Sequence, residues 1–148
     1  MGVWIIAAGK LDIEPEVNDY IIQEFIIFSK VTCPPDYYRE KFGNPWFFDA
    51  QNKLVCHEGK FAEPIIWFDH LKENFFKLWG YDLIGDPHYL GEGEIEYQKA
   101  CKERNEEYKK WIERSKEIEN NQNLMLQYHA EAMERIIEKN RQNHKDIF

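Results

Sequence analysis

Two kinds of side chain in this sequence are spaced so that they could do chemistry: acids near histidines, and rings near cations. Asp69, His70 and Glu73 fall within five residues, as do Asp82, Asp86 and His88 on a wider spacing, and His57-Glu58 adjoin. On a helix Asp69 and Glu73 stand one turn apart and could share a divalent cation, whereas Asp69 and His70 diverge by about 100°. A hydrolytic metal site on Asp69, Glu73, Asp82 and His88 would need ligands from several elements. The alternative is a set of solvated acids, and no metal and no cofactor is expected. Cys33, Cys56 and Cys101 are odd in number, far apart and without a CxxC pair, which argues for reduced thiols rather than a disulfide framework. Cys56 and His57 are neighbours in a strand and face opposite ways, so they do not pair as nucleophile and base. No GxGxxG, GxxxxGK[ST], GxSxG, HExxH or EF-hand pattern is present, and Gly91-Glu92-Gly93-Glu94 would repel an anion. No catalytic residue is assigned.

The rings are the second group. Tyr37, Tyr38, Trp46, Phe47 and Phe48 lie close together beside Arg39 and Lys41. Three successive rings in a strand cannot share one face. Either both faces are covered, or Phe47 is presented outward to a partner. In the outward case Tyr37, Tyr38, Trp46 and Phe47 could stack on a base, with Arg39, Lys102, Arg104 or Lys109 meeting phosphates.

Charge is unevenly shared along the chain. The 148 residues carry a net charge of −8. Residues 1–95 hold 8 Lys and Arg against 16 Asp and Glu, whereas residues 96–148 hold 11 of each. The sequence therefore divides into an acidic head, 1–95, and a neutral tail, 96–148, that packs or oligomerises. This balance argues against direct binding of a nucleic-acid backbone, which needs clustered cations. A basic partner surface suits it better. No apolar run is long enough to span a bilayer, so no membrane is expected. The first ten residues lack the basic segment of a signal peptide, and Ile6 stands where a myristoylation motif needs Ser or Thr. A cytoplasmic location is expected.

The elements that must hold these groups follow from periodicity. Val3–Ile13 reads as a strand bent near Gly9, and Glu16–Val31 as a helix capped by Asn18 or Asp19. Trp46–Phe48 and Leu54–Cys56 flank a polar turn and read as a hairpin. Pro64 opens a helix to about Trp79, with Ile65, Phe68, Leu71, Phe75 and Leu78 as its buried stripe and Gly80 as its stop. Tyr81–Ile84 and His88–Ile95 read as two further strands. The head is then β-α-β-β-α-β-β: an α+β fold, a small antiparallel sheet with two helices packed on it. The tail is a helix from Glu96 to about Glu119 with Tyr97, Cys101, Tyr108, Trp111 and Ile118 on one stripe and Arg104 and Ser115 filling its gaps. Asn120-Asn121 interrupts it, and a second helix follows to about Asn140. One long rod and a helical hairpin are both open. The stripe is too polar to bury itself, so it packs on the head, on a copy of itself, or on both, and a homo-oligomer is expected.

Gly9-Lys10-Leu11-Asp12-Ile13-Glu14-Pro15 resembles the opening Gly-x-Leu-x-Ile-x-Pro strand of a group of small, mostly uncharacterised phage and bacterial proteins. Leu54…Gly59-Lys60-Phe61…Trp67-Phe68…Leu71…Phe75-Phe76-Lys77-Leu78-Trp79-Gly80-Tyr81-Asp82-Leu83-Ile84-Gly85, and then Gly91-Glu92, are similar to their second half. The likeness covers about residues 9–93. Where that group has Pro-Pro after its first strand this chain has Pro15-Glu16, and the helical tail stands in place of its last strand. The resemblance implies a phage or prophage accessory protein with an α+β head, and no catalytic residues.

Charge and resemblance together lead to three expectations. The first is a non-enzymatic protein that blocks a host component, such as an anti-phage defence protein. Glu58, Glu63, Asp82, Asp86, Glu92 and Glu94 would dock on its basic surface in place of phosphates. The second is a binder that sequesters a nucleotide-type ligand between subunits. The third is the metal-dependent hydrolase.

Overall fold

The computed structural model describes residues 4–34, 43–60, 62–121 and 132–142. The order is β1 (Trp4–Ala8), β2 (Asp12–Glu14), α1 (Asp19–Val31), β3 (Trp46–Phe48), β4 (Leu54–Cys56), β5 (Gly59–Lys60), α2 (Glu63–Leu71), a π-helical turn (Lys72–Phe76), β6 (Asp82–Ile84), β7 (His88–Gly91) and α3 (Ile95–Glu119). Residues 132–142 are helical. The class is α+β with antiparallel pairing, as its periodicities indicate.

The strands form three small sheets in place of one: β5-β1-β7, β2-β6 and β3-β4. The split begins at Gly9, whose φ of +80° turns the chain between β1 and β2. Past that turn Leu11 exchanges both backbone hydrogen bonds with Leu54, each 3.0 Å long. The strands read at Tyr81–Ile84 and His88–Ile95 do not pair with each other: β6 pairs with β2, and β7 pairs with β1. β7 also stops at Gly91, and a turn over Gly91–Glu94 leads straight into α3.

Helix α1 starts where Asn18 Oδ1 accepts the Ile21 amide at 3.0 Å. It buries Tyr20, Ile21, Ile22, Phe25 and Ile26. Phe25 is the hub of an edge-on ring cluster, 4.7 Å from Phe48 and 5.6 Å from Phe75 between centroids. The stripe expected on α2 is shifted. Ile65 and Leu78 are exposed, while Pro64, Trp67, Phe68, Leu71, Phe75 and Phe76 are buried. Beyond Leu71 the physical reason is the π turn, where the Lys77 amide reaches back five residues to the Lys72 carbonyl. One extra residue in that turn rotates everything after it, carrying Phe76 inward and Leu78 outward.

α3 lies on the head, with Tyr97, Ala100, Cys101, Arg104 and Ile118 buried. It covers the second face of the β3–β4 hairpin. Trp46 and Phe48 join the main core, and Phe47 meets Tyr108 and Trp111 of α3 at 5.3 and 6.2 Å. Both faces of the three-ring strand are therefore covered, and Phe47 is not presented to a partner.

A polar seam sets the register of α3. Arg104, 3% exposed, donates to the Gly9 carbonyl at 2.5 Å and to Glu107 Oε1 at 3.0 Å. Lys10 pairs with buried Asp49 at 2.6 Å and lies 3.6 Å from Glu107. Farther along, Arg114 donates to Asn52 Oδ1 and to the Asp49 carbonyl. Removing one partner from a buried charged set leaves the others unpaired. Arg104→Ala should therefore cost about 3 kcal/mol, read as a lower urea midpoint at unchanged m-value.

Candidate docking surface

Strand period decides which acids share a face. In the β2–β6 ribbon Asp12 stands opposite Ile84, Ile13 opposite Leu83, and Glu14 opposite Asp82. Ile13 and Leu83 turn inward and pack on the main core. Asp12, Glu14, Asp82 and Ile84 all turn outward and are exposed. Glu16, just past β2, and Asp86, just past β6, are exposed at the ends. Five carboxylates thus line one short ribbon. Lys53 approaches Asp12 at 3.4 Å and Lys139 approaches Asp82 at 3.0 Å. Glu14, Glu16 and Asp86 have no ion pair among the described residues. Glu14 and Asp82 face each other directly, an arrangement of like charges that costs stability in an antiparallel pair.

Two of the six acids singled out from sequence, Asp82 and Asp86, belong to this surface. Glu58 instead accepts the Tyr97 hydroxyl at 2.7 Å and the Cys101 thiol at 3.4 Å. Glu63 is buried in the first turn of α2 and accepts the Lys60 amide at 3.2 Å. Glu92 accepts the Trp4 amide and Glu94 the Gly91 amide, each at 2.6 Å, so both brace one end of the β1–β7 pair. Asp12, Glu14 and Glu16 were missed. Their signal was present in the alternation Leu11-Asp12-Ile13-Glu14, whose outward positions are all carboxylates.

The cation and ring set is dispersed. Tyr37, Tyr38 and Arg39 lie outside the described residues. Trp46 and Phe47 are core residues, and the Trp46 indole donates to the Pro64 carbonyl at 2.8 Å. Arg104 is consumed in the polar seam, Lys109 pairs with Glu106 at 3.4 Å, and Lys102 is exposed. A different ring-lined feature exists between α1 and α3. It is an open groove of about 390 Å³ whose walls include Trp46, Tyr108, Trp111, Lys30 and Lys116. Lys30 is paired with Glu119, and Lys116 has no ion pair among the described residues.

The metal candidates do not converge. Asp69 and Glu73 are exposed, and Glu73 lies 3.5 Å from Lys77. Asp82 and His88 are in different sheets. Among the described residues no group of three or more His, Cys, Asp or Glu could hold a metal ion. Nor is any helix among them long and apolar enough to cross a membrane.

The buried titratable groups are tied to packing. Burial pushes the Cys101 thiol up to about 11, with the Glu58 carboxylate adding to the rise, and burial raises Cys56 further. Neither is a ready thiolate at neutral pH. Burial pushes Asp49 up too, but the Lys10 ammonium and the Lys53 and Gln51 amides outweigh it and hold the carboxyl below its usual range. His70 is stacked on Phe28 at 5.0 Å, with Nε2 3.0 Å from Thr32 Oγ1 and Nδ1 3.2 Å from the Asn74 amide.

No family model, curated protein or solved structure matches the chain. The functional reading rests on the ribbon's own chemistry.

Burial holds the His70 pKa below its ordinary value. The unfolded chain therefore takes up a proton at higher pH than the folded one, and stability falls as pH drops below about 6.5. The loss is complete once pH passes the depressed folded value. Thermal midpoints from pH 7.5 down to 5 should fall more steeply in the wild type than in His70→Gln. Parallel curves would show that His70 does not titrate across folding.

Proposed function

We propose that the protein acts stoichiometrically, docking the acidic outer face of the β2–β6 ribbon on a basic surface of a bacterial host protein and blocking it. The observation that supports this is the placement of Asp12, Glu14, Glu16, Asp82 and Asp86 on one ribbon against two lysines. Glu14, Glu16 and Asp86 make no ion pair among the described residues, and the facing pair Glu14–Asp82 costs stability. A cationic partner would relieve the repulsion and gain a steered encounter. Such a face resembles a run of phosphates in sign and exposure, which makes nucleic-acid-binding proteins, including those of anti-phage defence, the favoured partner class. The encounter would take place in the host cytoplasm. Exposed Ile84 among the acids would give the contact an apolar anchor.

The test is a matched pair of charge reversals. One variant carries Asp12→Lys, Glu14→Lys and Asp86→Lys; the other carries Glu96→Lys, Glu103→Lys and Glu113→Lys on α3. Proteins captured from host lysate would be quantified by mass spectrometry. The partner should be retained by the wild type and the α3 variant and lost by the ribbon variant. Retention by the ribbon variant would overturn the reading.

A second reading, sequestration of a nucleotide-type ligand, is favoured by the groove between α1 and α3. Partly exposed Tyr108 and Trp111 offer ring faces there beside Lys116. A tight nucleotide should raise the thermal midpoint of the wild type and not of Trp111→Ala measured against its own baseline. A panel that shifts neither would remove this reading.

A further inference from the structure

The 132–142 helix presents one narrow face to the body. Ala132 is fully buried and Arg135, Ile136 and Lys139 are half-buried, while Met133, Glu134, Ile137 and Glu138 are exposed. That is the i, i+3, i+4, i+7 spacing of a helix laid in a groove. Its seat is the corner Gly80-Tyr81-Asp82, and each residue there contributes a different contact. Gly80, at φ +82°, supplies closeness: a Cβ would stand 2.9 Å from Arg135 Cγ and 3.2 Å from Lys139 Cγ. Tyr81 supplies a ring, with the Arg135 guanidinium 4.6 Å above its centroid and donating to its hydroxyl. Asp82 supplies charge, accepting Lys139 Nζ at 3.0 Å. Shape, ring and carboxylate together read a helix with an arginine and, one turn on, a lysine.

Two properties make this contact exchangeable. The Lys139 and Asp82 side chains keep 35% and 65% of their exposure, so the pair is open to salt and to competition. Asp82 also belongs to the acidic ribbon, directly opposite Glu14, so the helix covers one end of the docking face.

We infer that the Gly80-Tyr81-Asp82 corner is a receptor for a basic amphipathic helix. The chain's own residues 132–142 fill it in the free protein, and a partner helix of the same chemistry displaces them. The inference rests on the acidic-ribbon reading for the sign of the partner, and it adds the partner's form. Because the resident helix is tethered, it competes at high effective concentration, and the affinity seen by a partner is lowered by the fraction of time the seat is open.

A labelled, end-capped peptide with the sequence of residues 132–142 tests this by fluorescence anisotropy at low salt, with a scrambled peptide as control. The full chain is compared as wild type, as Arg135→Ala/Lys139→Ala, and as that pair with Asp82→Lys. Weakening the resident helix should tighten peptide binding about ten-fold by opening the seat, and Asp82→Lys should abolish the gain. Equal binding by the wild type and the alanine pair overturns the receptor. Should the alanine pair not fold, hydrogen exchange on the wild type decides. Excess peptide should speed exchange of amides 133–142 and leave α1 unchanged; no acceleration overturns the inference. Asp12→Lys with Glu14→Lys lies outside the corner and should leave peptide binding in place. Loss of host-partner capture by that variant with no peptide binding in any protein would sink the receptor alone. Peptide binding with retained capture would sink the ribbon reading alone.

Discussion

Arg104 is a charged group with almost no water, and the rest of the molecule is arranged to make that tolerable. Its guanidinium reaches the Gly9 carbonyl and Glu107, Glu107 lies within reach of Lys10, and Lys10 closes on Asp49. Asp49 is itself satisfied by the amides of Gln51 and Lys53. Charges alternate along this seam, and they come from three pieces of chain: Lys10 from a strand end, Asp49 from a hairpin turn, and Arg104 and Glu107 from helix α3. A buried charge stands only when its partners are fixed. The seam therefore allows α3 one rotation and one translation on the head. With that register set, Tyr108 and Trp111 fall on Phe47, and Ile118 reaches Gln23 of α1, whose amide donates to its carbonyl at 3.0 Å. Helix α3 is too polar to be stable through its own burial. Its attachment is electrostatic at one end and apolar along the middle.

The same turn that supplies a carbonyl to Arg104 creates the docking face. Gly9 redirects the chain, and Leu11 is pinned to Leu54 on the other side of the bend. β2 is thereby removed from the main sheet and left to pair with β6 alone. A two-stranded ribbon has one inner face and no second layer over it. Its inward positions, Ile13 and Leu83, suffice to hold it on the core, and its outward positions are free to carry charge. The molecule thus separates a region where polar groups are matched from one where carboxylates are left facing each other.

Local rules made much of this legible. The Asn18 cap, the 46–48/54–56 hairpin, Pro64 at the start of α2 and the Tyr97, Cys101 and Ile118 stripe of α3 all rest on short-range chemistry, and the structure has each of them. Pairing was not legible in the same way. Nothing within Tyr81–Gly91 announces that its two strands join different neighbours, because partner choice is settled by a glycine more than seventy residues earlier. The π turn was hidden for a related reason. Lys72–Phe76 has ordinary helix formers, and the extra residue is chosen by the fit of Phe75 and Phe76 around Phe25. For the docking surface, totals of acidic residues were a poor guide. Glu58, Glu63, Glu92 and Glu94 spend their oxygens on amides, a hydroxyl and a thiol within the fold. Strand alternation at Asp12 and Glu14 was the better signal.

The distribution of cations explains why the net charge of −8 acts as a field rather than a diffuse excess. Lys10, Arg104 and Arg114 turn toward carbonyls and carboxylates inside the fold. Arg135 is spent on the Tyr81 ring and hydroxyl. Among the described residues, Lys53 and Lys139 pair with the ribbon's acids at its margins. Cations used to knit the interior cannot neutralise the exterior, so the more α3 is secured by its arginines, the more strongly the β2–β6 face presents uncompensated carboxylates. Stability of the scaffold and strength of the acidic face are consequences of one allocation of positive charge.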